Sequence, residues 1–337
     1  MENKKIVPVF FACDDNFVKF TMVTIRSMLE NASKDYHYNI YILNTNIMER
    51  MQKETFDIVN EYNNATLEFV NVTSYLDSIA DRLPIRDYYS KTTYFRLFIA
   101  EMFPQFDKAI YLDSDMVVVG DISKLYQNEL GNNLVGASHE QAMMQTDVFG
   151  TYVERNIGIS RNNFFNAGML LINTKLWRDE AVLDQFIDLL GIYTFRVTQD
   201  EDYLNVICKD RVLWVGDEWN VEIYEKIKYS EEEACIYHYI MWSKPWHFTG
   251  VRRESYFWKY AKMNKLCSEI VAILESYTDE QRANDLKAGE RLYNLALEEI
   301  RRPDTFLQLM RNVKIQKDLG LLKKSENMRD KGVSQRM

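Results

Sequence analysis

The stretch Lys108-Ala-Ile-Tyr-Leu-Asp-Ser-Asp-Met-Val-Val-Val119 places two carboxylates, Asp113 and Asp115, between two apolar runs. Side chains at positions i and i+2 of an extended segment point the same way, so these carboxylates can share one cation. Without a cation, two like charges beside buried apolar residues would be costly. We therefore predict a buried strand that ends at a divalent metal site, with oxygen ligands suited to magnesium, calcium or manganese.

The chain before this stretch alternates strand patterns with helix patterns. The order β-α-β-α-β predicts a parallel sheet with right-handed crossovers, whose sites lie at the carboxyl ends of the strands. Asp14 and Asp15 follow the first predicted strand, so we expect a second acidic strand end on the same rim as Asp113 and Asp115. The predicted strands are residues 6–12, 38–43 and 66–72, and the predicted helices are residues 17–31 and 48–62.

The chain after residue 91 continues the alternation, with a short helix at 92–103 ahead of the acidic strand. Residues 200–208 predict a helix with an acidic first turn, which the helix dipole favours. Residues 143–163 are expected to form a long polar loop that folds over a ligand. Further strands are predicted at 134–138, 165–173 and 212–215, and further helices at 177–190, 255–300 and 305–324.

Length and charge divide the chain into two unequal parts. A chain of 337 residues with 47% hydrophobic residues can form one large α/β domain with a smaller appendage. Residues 301–337 hold ten Lys and Arg against four Asp and Glu, a net charge of +6. Because the whole chain carries −9, the first 300 residues carry −15, which argues against general nucleic-acid binding. We predict an α/β domain over residues 1–250 and a helical extension over residues 251–337.

The four cysteines, Cys13, Cys208, Cys235 and Cys267, lie far apart and form no CxxC pair, which predicts reduced thiols in a cytosolic protein. The apolar segment at residues 6–12 is too short for a signal peptide and lacks a cleavage site. No apolar run reaches the length of about 18 residues that a membrane-spanning helix needs. We therefore expect a cytoplasmic location.

Six motifs occur together in this chain, in a fixed order over roughly residues 6–250. They are Phe11-Ala-Cys-Asp-Asp-Asn16, Thr92-Thr-Tyr-Phe-Arg96, Tyr111-Leu-Asp-Ser-Asp115, Phe165-Asn-Ala-Gly-Met-Leu-Leu-Ile-Asn173, Gln199-Asp-Glu-Asp-Tyr-Leu-Asn205, and His238 with Lys244-Pro-Trp-His247. An acid pair alone is weak evidence, but six motifs in register are specific for a family and a fold. The sequence resembles glycosyltransferase family 8, the bacterial lipopolysaccharide galactosyl- and glucosyltransferases and their glycogenin-like relatives.

The resemblance implies a GT-A fold, a divalent metal (manganese, with magnesium as the alternative), a UDP-hexose donor and retention at the anomeric carbon. It implies that Asp113, Asp115 and His238 bind the metal. By the same resemblance, the donor-binding residues are Ala12, Asp14, Asn16, Arg96, Ser114 and Lys244, and the candidate catalytic residues around the transferred sugar are Asn166, Asp200, Glu201 and Asp202. Residues 1–250 are then the catalytic domain, which would move galactose or glucose to a glycan or glycoconjugate.

Four residues depart from the usual pattern of this family. Glu201 stands where glutamine is usual, so a carboxylate there could act as a nucleophile or stabilise positive charge at the anomeric carbon. It could equally be a solvated acid at a helix start. Met241 and Trp242 replace a small residue that lets the backbone approach phosphate closely, which predicts a different diphosphate loop. Glu140 stands where aspartate is common, and its longer arm could change which hexose hydroxyls are bound.

Some of these residues could instead have a purely structural role. Arg96 could form a structural ion pair, Asp14 could cap the first helix, and His238 could be a core histidine. Three other functions fit parts of the pattern: a nucleotide-sugar binder without catalysis, a metal-dependent phosphate-ester hydrolase, and a structural module whose acids only cap turns. The acid pair together with His238 favours the transferase, and four histidines are few for the hydrolase.

The basic tail, residues 301–337, has two interpretations of equal weight. Lys314, Lys317, Lys323 and Lys324 cluster near leucines and could bring the enzyme to the inner face of an anionic membrane, near a lipid-linked acceptor. The helices could instead cap the catalytic domain or form an oligomer contact. The acceptor is left open between a surface polysaccharide, a lipid-linked glycan and a glycoprotein glycan.

Overall fold

Two sheets organise the structure. The computed structural model describes residues 4–77, 83, 91–224 and 234–318, with the backbone alone for 314–318. The strands are β1 Lys5–Ala12, β2 Tyr36–Asn44, β3 Ala65–Asn71, β4 Ala109–Leu112, β5 Met116–Val118, β6 Val135–Ala137, β7 Met169–Ile172, β8 Val212–Trp214, β9 Val221–Glu222 and β10 Ile236–His238. The main sheet has the order β3-β2-β1-β4-β7-β6-β8, and a smaller sheet has the order β5-β10-β9.

The direction of β7 positions part of the site. The sheet is mostly parallel, as predicted, but β7 pairs antiparallel with both β4 and β6. Leu112 at the end of β4 lies opposite Met169 at the start of β7. Residues 166–168, which lead into β7, therefore reach the rim formed by the carboxyl ends of the parallel strands, where sites of this fold class lie.

The smaller sheet brings a distant histidine to the same rim. β5 begins directly after Asp115, and β10 pairs antiparallel with it so that His238 lies opposite Met116. β9 runs parallel to β10, with Glu222 opposite His238. This register explains why Asp115 and His238 meet although they are far apart in the sequence.

Helices bury both faces of the main sheet. Along β1, Val7, Val9 and Phe11 pack in one hydrophobic cluster, while Phe10 and Ala12 pack in another, as expected for a strand covered on both sides. The helices are α1 Val18–Asn31, α2 Glu49–Val59, α3 Thr73–Asp77, α4 Ile99–Met102, α5 Ile122–Tyr126, α6 Gln141–Gln145, α7 Asp147–Tyr152, α8 Thr174–Asp179, α9 Val182–Ile192, α10 Asp200–Ile207, α11 Glu254–Ala261, α12 Cys267–Ser276, α13 Asp279–Arg301 and α14 Phe306–Asp318.

Three stretches differ from the sequence prediction. The helix predicted over residues 255–300 is divided into α11, α12 and α13. Residues 143–163, predicted as a polar loop, form helices and helical turns that bury Tyr152 and Ile157 in the core. The few apolar residues of this segment lie at helical spacing, but the polar residues between them obscure the pattern. The helix predicted at 177–190 is two helices, α8 and α9, because Ala181 between them has a left-handed backbone conformation with φ of 53°.

The C-terminal helices pack against the rest of the fold. α13 contacts α7, and Leu307 on α14 packs on Gly158, whose φ of 87° favours glycine. The domain boundary at residue 250 stays a prediction, and the lysine cluster of the tail lies outside the residues whose side chains are described. Among the described helices, none has the length and apolar character needed to span a membrane.

Candidate active site

Three side chains that could hold a metal ion converge in a cleft at the rim of the main sheet. Asp113 and Asp115 follow β4, and His238 ends β10. One possible ligand atom from each residue lies within 4.8 Å of the other two. Nε2 of His238 is 3.2 Å from Oδ1 of Asp115 and 3.9 Å from Oδ2 of Asp113. The fold thus brings together the three residues that the sequence suggests as metal ligands.

A chain of hydrogen bonds orients the ring of His238. The backbone N–H of Gly168 donates to Oδ1 of Asn166 at 2.8 Å, which identifies that atom as the amide oxygen. Asn220 must then donate from Nδ2 to Asn166 at 2.8 Å and present its own Oδ1 to Nδ1 of His238 at 3.0 Å. Because an amide oxygen only accepts, Nδ1 of His238 carries a proton, and Nε2 is the ring nitrogen that faces the two aspartates.

Two buried cations contact the acid pair. Arg96, only 3% exposed, donates to Oδ1 of Asp113 at 3.1 Å, and its guanidinium lies 4.4 Å from the ring centre of Tyr111. The Tyr111 hydroxyl donates to the same carboxylate oxygen at 2.8 Å. Lys244, 4% exposed, forms an ion pair with Asp115. Burial pushes the pKa of Asp115 upward, but the Lys244 ammonium and the neighbouring imidazole hold that pKa below its usual value.

These residues fit a divalent cation. Two carboxylates supply oxygen ligands for magnesium or manganese, and an imidazole nitrogen as the third ligand favours manganese of the two. Arg96 and Lys244 already neutralise much of the charge of the acid pair. A bound metal would therefore add positive charge, which suits an anionic partner such as a diphosphate.

The turn after β1 forms another side of the cleft. Ala12, Asp14 and Ser114 line it, as the resemblance suggests for donor-binding residues. Oδ1 of Asp14 also accepts the backbone N–H groups of Asn16 and Phe17, each at 3.0 Å, so it caps the turn before α1. The side chain of Asn16 is exposed and lies outside the set of residues that line the cleft.

The three acids in the first turn of α10 divide into two groups. Asp200 and Glu201 line the cleft, whereas Asp202 does not. Oδ2 of Asp202 accepts the Tyr152 hydroxyl at 2.8 Å and the backbone N–H of Thr198 at 3.0 Å. Asp202 therefore fixes the start of the helix in the core, and we leave it out of the proposed chemistry.

Burial raises the pKa values of Asp200 and Glu201, the two acids of α10 that line the cleft. The pKa of Asp200 rises to about 6, although Arg96 opposes the rise. The pKa of Glu201 lies well above its usual value because of burial and of the neighbouring carboxyl of Glu140. Oε2 of Glu201 accepts the backbone N–H of Ala167 at 2.9 Å. The raised pKa favours the protonated form of Glu201, which can donate a hydrogen bond but is a poor nucleophile.

Two further buried glutamates belong to this region: Glu140 lines the cleft, and Glu222 lies outside its lining. Glu140 accepts a hydrogen bond from the amide of Asn166, and burial together with Glu140 raises the pKa of Glu222 well above its usual value. Sequence analysis identified neither Glu222 nor Asn220 as a site residue. Both belong to the two-residue strand β9 or directly precede it, and so short a segment gives no periodic pattern.

Comparison with known proteins gives consistent matches. The model of the family "Glycosyl transferase family 8" matches residues 8–250. The chain is 26% identical to the lipopolysaccharide 1,3-galactosyltransferase of Salmonella typhimurium over 81% of this chain and 82% of that protein. It is 28% identical to glycosyltransferase GlyE of Streptococcus pneumoniae serotype 4 over 76% of this chain, but it spans only 61% of the length of GlyE.

A solved structure extends the match to the fold. The crystal structure of the galactosyltransferase LgtC in complex with donor and acceptor sugar analogues superposes with a TM-score of 0.65 at 25% identity, covering 77% of this chain and 96% of LgtC. The expected GT-A fold is thereby confirmed. Since the family model covers most of its length, the chain belongs to glycosyl transferase family 8.

Proposed function

We propose that this protein is a retaining, manganese-dependent transferase that moves galactose or glucose from a UDP-sugar to a glycan or glycoconjugate. One observation carries the proposal: the fold brings Nε2 of His238 together with the carboxylates of Asp113 and Asp115, and Asn220 orients the imidazole ring. A metal ligand set with an oriented imidazole and two carboxylates suits an ion that binds a diphosphate. Magnesium is the alternative ion.

The protein residues around the acid pair are arranged to stabilise a leaving diphosphate. Breaking the bond between the sugar and UDP leaves negative charge on the departing phosphate. A divalent metal, when bound, supplies Lewis-acid stabilisation of that charge. Lys244 holds a buried ammonium beside Asp115, and Arg96 keeps Asp113 in position. Fixed positive groups of this kind stabilise developing charge without reorganising during the reaction.

Glu201 is proposed to act by hydrogen bonding rather than as a nucleophile. A nucleophilic carboxylate must be ionised, whereas burial and Glu140 raise the pKa of Glu201 well above its usual value. A protonated glutamate resembles glutamine, the usual residue of the family at this position, in shape and in its ability to donate. This supports attack by the acceptor from the leaving-group face, where the departing phosphate can take the acceptor proton.

The donor sugar is proposed from the names of the compared proteins, and the acceptor is left open. Two of the compared proteins are named as galactosyltransferases, so UDP-galactose is the first donor to test and UDP-glucose the second. A surface polysaccharide, a lipid-linked glycan and a glycoprotein glycan remain the candidate acceptors. A cytoplasmic location, contact of residues 301–337 with the inner membrane face, and an oligomeric state remain predictions.

The test is UDP release from a panel of UDP-sugars, with glycoside acceptors and with manganese, magnesium or a chelator. Asp57→Asn is the control for Asp113→Asn, because Asp57 lies on α2 and pairs with Lys265 at 2.7 Å, outside the cleft. We expect metal-dependent release from one UDP-hexose, lost in Asp113→Asn and kept in Asp57→Asn. Tight binding of metal and UDP without release from any donor would favour a nucleotide-sugar binder instead.

A further inference from the structure

The loop at residues 239–247, named here the Lys244 loop, contacts helix α13 on both sides of Lys244. Lys244 lines the cleft and holds its ammonium beside Asp115. Before it in the chain, the ring of Trp242 packs on α13, and after it the ring of His247 lies beside an aspartate of the same helix. The helix therefore holds both of the segments that flank the lysine.

Three residues of α13 make these contacts from one face of the helix. Arg282, Asp285 and Gly289 are spaced by three and four residues, so they lie on the same side of α13. None of the three belongs to the lining of the cleft as far as the chain is described. α13 also lies beyond residues 8–250, which the family model matches. This support for the Lys244 loop therefore comes from outside the matched region.

The indole ring of Trp242 lies against the backbone of Gly289. A Cβ at position 289 would be 2.4 Å from this ring, about 1 Å closer than carbon atoms in ordinary contact. Tyr224 meets the same ring edge to face, with ring centres 5.3 Å apart. The backbone carbonyl of Trp242 accepts the N–H of Lys244 at 2.7 Å, so a shift of Trp242 would be passed on to Lys244.

His247 is held through both its ring and its backbone. The ring stacks on Tyr277, with ring centres 3.9 Å apart, and Nδ1 lies 3.2 Å from Oδ2 of Asp285. The Tyr277 hydroxyl donates to the same carboxylate oxygen at 2.8 Å, and Nε of Arg282 donates to the His247 carbonyl at 3.0 Å. Because the N–H of His247 donates to the carbonyl of Lys244 at 3.0 Å, these contacts also fix the turn that follows the lysine.

The Lys244 loop contains a backbone conformation that needs support from its surroundings. Met241 has a φ of 50°, a left-handed value that residues other than glycine rarely adopt. Such conformations persist where the surrounding structure holds them in place. The N–H of Ser243 donates to the carbonyl of Ile240 at 3.0 Å and closes the turn around Met241. The contacts with α13 hold this turn from outside.

We propose that α13 positions Lys244 for the diphosphate of the donor, and that Arg282, Asp285 and Gly289 are positioning residues of the transfer reaction. This inference rests on the proposed function, because that function assigns Lys244 to the leaving diphosphate. A fixed ammonium stabilises developing charge without reorganising during the reaction. A misplacement of about 1 Å far from the chemistry can cost about 100-fold in rate. The three residues of α13 thus act through Lys244.

Gly289→Ala tests the contact with Trp242. Alanine is the better helix former, so the change favours α13 itself while it displaces the indole ring. We expect kcat to fall about 10–100-fold, and UDP to bind about tenfold more weakly in calorimetric titrations with manganese present. Gly191→Ala is the matched control, because Gly191 lies in α9, where a Cβ would enter open space among the described residues. It should match the wild type.

Arg282→Met tests the contact with His247, and it decides the question if Gly289→Ala does not fold. It removes the donor to the His247 carbonyl and keeps the apolar stem of the side chain. We expect kcat and UDP affinity to fall about tenfold each. Arg291→Met, at an exposed position on the same helix, is the control and should match the wild type.

The same two variants are then made in a Lys244→Ala background. If α13 acts through Lys244, neither Gly289→Ala nor Arg282→Met should change the UDP affinity of that background by more than about twofold. Losses that add to that of Lys244→Ala, or variants that match their controls, would refute the positioning of Lys244 and leave the transferase function standing. If the wild type binds UDP but releases none from any UDP-hexose, the proposed function is refuted, and the UDP titrations alone decide whether α13 positions Lys244. A wild type that does not bind UDP would refute both.

Discussion

Replacing Asn220 with leucine is expected to weaken metal binding without removing any metal ligand. Asn220 is fully buried, and its Oδ1 accepts the Nδ1 proton of His238 at 3.0 Å. Leucine has a similar volume but no acceptor, so the ring of His238 loses the bond that fixes its protonation and its orientation. Nε2 would then be held in position to bind a metal ion beside Asp113 and Asp115 only part of the time.

The size of the effect follows from the bonds that are lost. Asn166 keeps the bond from Gly168, so its Oδ1 stays satisfied. The Nδ1–H of His238 becomes a buried donor without an acceptor, which costs about 1–3 kcal/mol of folding stability. Losing the hydrogen-bond partner of a metal-binding histidine typically lowers metal affinity about 10–100-fold. We therefore expect Asn220→Leu to fold, to unfold at a lower temperature and to bind manganese about 10–100-fold more weakly.

Calorimetric titration with manganese measures the affinity, and thermal unfolding measures the stability. Asn156→Leu is the matched control, because Asn156 is also fully buried and bonds to Glu299 and Tyr193 rather than to His238. It should lose comparable stability while keeping wild-type metal affinity. If folded Asn220→Leu binds manganese as tightly as the wild type, the argument that Asn220 orients the metal ligand is wrong.

Three further predictions concern the cleft and the residues that support it, and a fourth concerns the C-terminal tail. Glu201→Gln should keep the transfer rate within tenfold of the wild type. In the wild type we expect activity to fall as pH rises through the raised pKa of Glu201, and this fall should be absent in the variant. Abolished transfer at every pH would instead indicate that Glu201 is a nucleophile. Burial raises the pKa of Asp202 in the folded state from 3.8 to about 7. Because the unfolded chain loses this proton at lower pH than the folded one, wild-type stability falls by about 1.4 kcal/mol per pH unit between these values. The stability of Asp202→Asn relative to the wild type should therefore rise by about 3 kcal/mol from pH 5 to pH 8 in denaturant titrations, and a constant difference would contradict this reasoning. Gly168→Ala places a Cβ 2.4 Å from Cε1 of His238 and should lower manganese affinity in the calorimetric titration. Unchanged affinity would mean that the ring of His238 can move aside without losing the ion. Removing residues 301–337 should reduce binding to anionic vesicles in a sedimentation assay, and unchanged binding would end the membrane hypothesis for the tail.

The sequence predicted the parts of the site that adjacent residues define. Asp113 and Asp115 could be identified because two carboxylates interrupt an apolar run, and such an interruption is costly unless it has a partner. His238 could be assigned only through the resemblance to a family, since a lone histidine in an apolar strand is as consistent with a core position. The antiparallel direction of β7 was not predictable, because an apolar run such as residues 165–173 carries no information about its neighbours.

The remaining differences depend on tertiary packing. Asp200, Glu201 and Asp202 are consecutive, and each step along a helix turns a side chain by about 100°. Two of them face the cleft and one faces the core, but nothing in the sequence states how the helix is rotated. Asn220 was likewise unpredictable, since its role depends on three segments that meet only in the folded protein.

The most direct test of the central claim is the anomeric configuration of the product, read by NMR after incubation with a UDP-hexose and a neutral glycoside acceptor. Our account predicts a product with the α configuration of the donor retained, formed with manganese and absent when a chelator replaces the metal. A product with inverted configuration, or one formed equally well in the presence of the chelator, would contradict it.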